Sequence, residues 1–173
     1  MKGAGTMLNI QKIFEAQERL DRKVVEVHGL EDKNLTGDVT HALYTELGEL
    51  SNENGFFKYW KKNKSDDKVR QYDEWADCMH FVASLGNKYG HVELIIGSDR
   101  HLRLANKFKD AKSSFHELFG VMYKADYSCI FDYAKALGAL IAIGYKLGMN
   151  HQDMMDSYFA KNKVNYERLS NGY

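Results

Sequence analysis

No proline interrupts this 173-residue chain. Proline breaks or kinks helix interiors, and the periodicity here is helical. Apolar residues return every three or four positions, and β-branched alternation is rare. The expectation is an all-α helical bundle with five or six main helices, folded as one domain over 1–173. The first six residues read as a short tail, with Met7 a natural start.

A first helix is expected over 8–27, with Ile10, Ile13, Phe14, Gln17 and Leu20 on its inner face. Gly29 and Gly37 bracket a loop, Asp38 is a suitable N-cap for the second helix, and Asn54-Gly55 ends it. Ser65 can cap the third helix, with Asp66 and Asp67 near its positive end, and that helix should run to about Tyr89. The stretch 90–125 is helix-prone but punctuated by Gly97 and Gly120, and is expected to be a mobile insert. A helix over 126–147 carries Ala134, Ala136, Gly138, Ala139, Ala142 and Gly144. Such small residues suit a core or a subunit interface, so a homodimer is expected. Gly148 stops this helix; Asn150 caps the last one, with Asp153 at the capping-box position.

Charge narrows the function classes. Twenty-four basic and 24 acidic residues cancel, which argues against a general nucleic-acid surface. Cys78 and Cys129 do not suggest a disulfide framework and suit a reducing cytoplasm. Cys78 reads as a core residue. No signal-peptide core is visible, and the longest apolar stretch, 136–145, is too short to span a bilayer.

The chemistry lies in two carboxylate pairs. Glu46 and Glu49 precede Glu74 and Asp77, with 24 residues between the pairs. Each i, i+3 spacing puts both acids on one helix face. Glu15 with Glu18, and Asp153 with Asp156, share the spacing and read as solvated surface. Glu46 differs because it falls inside the apolar stripe of Val39, Ala42, Leu43, Leu47 and Leu50, with Glu49 at its edge; Glu74 aligns with Phe81 and Leu85. A carboxylate on a core-facing stripe is costly unless it is paired, protonated or bound to a cation. Four carboxylates on two helices can make an all-oxygen Mg²⁺ site. No His or Cys stands at ligand spacing for zinc.

Two basic segments flank this set. The hinge Phe56-Phe57-Lys58-Tyr59-Trp60-Lys61-Lys62 offers rings for a base and ammonium groups for phosphates, or simply packs its rings on the core. On the last helix Lys161, Asn165 and Arg168 share a face and can grip a polyphosphate. The plainer reading of Lys161 and Arg168 is that they complement the helix dipole.

In order and context, these residues resemble the dimeric, all-α dUTPase family of the MazG-like NTP pyrophosphatase superfamily. The superfamily signature is E-x-x-E followed by E-x-x-D. The dUTPase branch adds a Trp/Lys-rich stretch after the first pair, here FFKYWKK. It also adds a terminal K-N-x-x-N-x-x-R…G-Y, here Lys161, Asn162, Asn165, Arg168, Gly172 and Tyr173. The resemblance covers about residue 10 to 173. Two positions depart from it. Family members commonly carry Q-x-x-L-N in the first helix, where this chain has Gln17, Leu20 and Asp21; Leu169 replaces a glutamine that often follows the arginine.

The resemblance implies that Glu46, Glu49, Glu74 and Asp77 bind two or three Mg²⁺ ions, with Glu49 helping to deprotonate the attacking water. Lys161, Asn165 and Arg168, with Lys58 and Lys61 or Lys62, would hold the phosphates. Phe81 would stack on uracil, Gln17 would read the base edge, and Trp60 would lie near the nucleotide. Hydrolysis of dUTP, and of dUDP, to dUMP follows, with a cytoplasmic location and no nucleic-acid or membrane partner. A regulatory protein partner is expected if the chain is phage-encoded. The alternatives are a related pyrophosphatase acting on dCTP or damaged nucleotides, and a non-catalytic helical interaction module.

Overall fold

The computed structural model describes residues 7–63 and 66–172. Among these, every regular element is an α-helix: α1 Ile10–His28, α2 Thr36–Asn54, α3 Lys68–Lys88, α4 Val92–Ser98, α5 Arg100–Asp110, α6 Phe115–Lys124, α7 Ile130–Leu147 and α8 His151–Ser170. The two or three helices beyond expectation come from the stretch 90–125. Asp99 in the left-handed region separates α4 from α5, and a Ser114–Glu117 capping box starts α6.

Local cap chemistry sets most of the ends. The Asn9 side chain accepts from the Lys12 amide at the start of α1. Gly55, at φ 67°, terminates α2, and Gly148, at φ 99°, terminates α7; both conformations suit glycine. Asn150 and Asp153 form the expected reciprocal cap of α8. The start of α2 differs from expectation. Asp38 lies inside the first turn, Leu35 takes the cap position without a side-chain bond, and Asn34 Oδ1 accepts from the Thr36 amide. Asn34 reaches the free amides first, and Asp38 is left to favour the positive helix end through its charge alone. For α3 the Asp67 carboxylate accepts from the Arg70 amide; Ser65, the expected cap, lies outside the described residues, as does Tyr173.

The helix α3 is the axis of the fold. It packs against α1, α2, α7 and α8, and nearly every residue from Trp75 to Gly86 is buried or half-buried. The α2 stripe Leu43, Leu47 and Leu50 is fully buried, each leucine contributing roughly 1.5–3 kcal/mol relative to an exposed position. On the far side α7 is covered by α5 and α6. Trp75 Nε1 donates to the Leu140 carbonyl at 2.8 Å and Tyr133 Oη to the Val82 carbonyl at 2.9 Å, so two bulky side chains lock α3 to α7.

The small residues of α7 serve this packing. A Cβ on Gly138 would stand 2.9 Å from the His101 carbonyl of α5, and one on Gly144 would stand 2.5 Å from Met154 of α8. Those close approaches lie within the chain. The physical reason for expecting a subunit partner along α7 is therefore already met by α3, α5 and α8. No described helix is long and apolar enough to cross a membrane.

Candidate functional site

The packing of α2 on α3 brings Glu46, Glu74 and Asp77 together. One carboxylate oxygen from each lies within 4.8 Å of the others. At that spacing two unit charges repel by roughly 3–4 kcal/mol in an effective dielectric of about 20. Three such repulsions make it costly to keep all three groups ionised, a cost that protonation or a bound cation would relieve. Its acidity shows the strain. Burial, then the charges of Asp77, Glu49 and Glu74, push the Glu46 carboxyl up to about 7. Glu74 and Asp77 are also raised, in both cases first by burial. Glu49 is exposed and lies outside the close trio, yet its charge acts on Glu46 and Glu74.

Two cations from α8 meet this acidic set. Lys161 reaches in with its Nζ 2.7 Å from Asp73 Oδ2 and 2.6 Å from Asp77 Oδ2. Burial alone would lower the ammonium's pKa, but the bonds from Asp73 and Asp77 outweigh it and raise it. The charge of Arg168 also favours the ionised form of Asp77.

A cleft of about 310 Å³ opens beside Glu46 and Asp77, with Glu74 outside its lining. Glu46 and Asp77 form part of its lining. Asp21, Val24 and His28 of α1, His80 and Phe81 of α3, and Asn165, Arg168 and Leu169 of α8 form the rest, with Leu20. Of the residues expected from sequence, Glu46, Asp77, Phe81, Asn165 and Arg168 share this one wall. Lys161 does not line it; it turns to α3, because α8 lies along α3 and the first residue of the shared face meets Asp73 and Asp77.

Gln17 lies beneath the cleft and is buried. Its Oε1 is 2.6 Å from His80 Nδ1 and accepts from Tyr158 Oη at 3.0 Å, while its Nε2 donates to Asp21 Oδ1 at 2.7 Å. Ser84 Oγ donates to the other Asp21 oxygen at 2.5 Å. A carboxylate has about four acceptor positions, so Asp21 is fixed in one rotamer with acceptor capacity left over. The imidazole of His80, stacked on Tyr158 at 4.2 Å, is pushed down to about 4 by burial and stays neutral. Asp21 and His80 were not singled out as site residues from the sequence. The signal available was Asp21 at i+4 from Gln17.

The hinge goes elsewhere. Phe56 packs between Phe115 and Phe119 of α6, at centroid distances of 5.5 and 5.1 Å. Lys58 Nζ donates to the Asn52 carbonyl at the end of α2. Trp60 is 60 % exposed, Lys61 and Lys62 are exposed, and none of these residues lines the cleft. The plain readings hold for the other acidic pairs: Glu18 pairs with Arg22 on an exposed face, and Asp153 caps α8. Cys78 is fully buried, which pushes its thiol well up and suits a core residue.

The donor set fits a hard cation: carboxylate oxygens only, at metal-ligand separation. It also sets a pH dependence. Glu46 has a folded pKa of about 7 against 4.5 for the free side chain, so the folded state holds the extra proton. Its contribution to stability is fully present below about pH 4.5 and is lost as pH rises through about 7. In chelator, the denaturation midpoint should fall over this window, and Glu46→Gln should flatten the fall. An unchanged slope in that variant contradicts the assignment.

A family model described as dUTPase matches residues 9–173. The chain has no match among curated proteins.

Proposed function

The chain belongs to the dimeric all-α dUTPase family and is a dUTP diphosphatase, and from that premise we propose that Mg²⁺ held by Glu46, Glu49, Glu74 and Asp77 supports hydrolysis of dUTP, and of dUDP, to dUMP. The observation that carries this reading is the one cleft whose lining joins Glu46 and Asp77, two members of the acidic trio, to Asn165, Arg168, Phe81 and Asp21. Carboxylates and an arginine for the phosphates and a ring for the base, in one cleft, match the two parts of a nucleotide. The cleft volume falls at the lower end of the range for small-molecule sites.

Two or three Mg²⁺ ions would lower the pKa of a bound water and neutralise charge on the phosphate chain. The chain's own residues do the rest. Arg168 offers a planar fork to phosphate oxygens, and Asn165 an amide donor beside it. Glu49, which is exposed, takes the proton of the water that attacks phosphorus, and the P–O bond electrons leave with pyrophosphate from dUTP or with phosphate from dUDP. Phe81 supplies a face for the base. Gln17 acts indirectly, by holding Asp21, whose free acceptor positions meet an N–H of the base edge. Lys58, Trp60 and Lys61 would approach the nucleotide only by moving with the α2–α3 loop. A homodimer follows from family kinship rather than from α7. The two free cysteines suit a cytoplasmic setting.

Pyrophosphate release from each dNTP, with Mg²⁺ or with chelator, tests the proposal. The expected result is fastest release from dUTP and none in chelator. Equal rates on dCTP would favour a broader nucleotide pyrophosphatase. No release from any dNTP would favour a helical interaction module. Steric exclusion of the thymine methyl supplies roughly 1–3 kcal/mol, so discrimination beyond about 200-fold requires tighter closure.

A further inference from the structure

Lys161 is 7 % exposed, and its ammonium bonds two carboxylates of α3. One of them, Asp77, is also a member of the trio whose oxygens converge within 4.8 Å. Asp77 thus has two claimants. We propose that Lys161 is a positioning residue that competes with the divalent cation for Asp77 and holds the protein's affinity for that cation low until the phosphates of the substrate arrive. The inference rests on reading the trio as the metal site.

The physical argument is one of fixed charge. A divalent ion on Asp77 would stand within a few ångströms of this ammonium, which is buried and held between Asp73 and Asp77. Like-charge repulsion in a half-buried site is poorly screened. Phosphate oxygens brought in beside Arg168 and Asn165 add negative charge on the same side, which offsets Lys161 and admits the ion. Lys161 also aligns Asp77, because its bond to Oδ2 restrains the carboxylate that converges with Glu46 and Glu74. The three donors of an ammonium suit this double grip on Asp73 and Asp77.

The test is calorimetric titration of the intact protein with Mg²⁺ alone, without nucleotide. Lys161→Met should bind Mg²⁺ at least tenfold tighter than wild type and melt at a lower temperature in chelator. Lys161→Arg, which keeps the charge, should stay near the wild-type affinity. Folded Lys161→Met with unchanged or weaker Mg²⁺ affinity overturns the inference and reduces Lys161 to a brace between α8 and α3. Should Lys161→Met fail to fold, Lys161→Gln keeps a donor for Asp73 and carries the same comparison. A wild type that neither binds Mg²⁺ nor needs it for turnover defeats the metal reading itself. Tight Mg²⁺ binding in wild type, unaltered in the variants, defeats only the role of Lys161.

Discussion

Glu74→Gln is expected to lower kcat for dUTP by about a hundredfold or more while leaving the fold intact. Glu74 is half-exposed and belongs to the converging trio. The amide keeps its volume but carries no charge, so a cation loses an anionic ligand and the water it activates. The stability effect has the opposite sign. Burial and the charges of Glu49 and Asp77 raise the Glu74 carboxyl, so removing its charge relieves repulsion. In chelator the variant should therefore melt no lower than wild type. Glu49→Gln should show the same loss of turnover. Loss of activity together with collapse of the fold would point to a structural carboxylate. Near-wild-type turnover at saturating Mg²⁺ in either variant would remove the metal assignment.

Arg168→Ala is expected to lower kcat/KM for dUTP by roughly ten- to hundredfold, the equivalent of about 1.5–3 kcal/mol for a charge-assisted contact. Arg168 is exposed in the last turn of α8 and lines the cleft beside Asp77. Truncating an exposed side chain there should change the melting temperature little. Arg168→Lys should recover part of the loss, since lysine keeps the charge but not the planar fork. A dipole-complementing arginine gives the reverse pattern: a small fall in melting temperature and unchanged kinetics on the same preparation.

The helices and their ends were legible wherever the determining chemistry is local. Gly55, Gly148 and the Asn150–Asp153 box act within one turn, so a reader of the sequence sees the whole cause. Asp38 was not the cap: the backbone enters the helix at Leu35, and the Asn34 side chain, not that of Asp38, accepts from the Thr36 amide. The i, i+3 spacing placed Glu46 with Glu49, and Glu74 with Asp77, on shared faces for the same local reason.

What those faces meet was decided elsewhere. The small residues of α7 announced a close approach but not its partner, and the fold spent them on α5, α3 and α8. Lys161, Asn165 and Arg168 share a helix face by periodicity alone; only the seating of α8 along α3 sends Lys161 to Asp73 and Asp77 and the other two to the cleft. Gln17 was marked as inward-facing, correctly, yet whether it met the cleft or supported Asp21 depended on His80 and Tyr158, 63 and 141 residues away in sequence. Helical periodicity follows from the covalent chain and repeats every 3.6 residues, so the sequence by itself determined an all-α chain with its acids and bases in rows. Ion pairs and hydrogen bonds between helices depend on which ridges interlock, and only the tertiary structure decided which carboxylates converge and which cation stands among them.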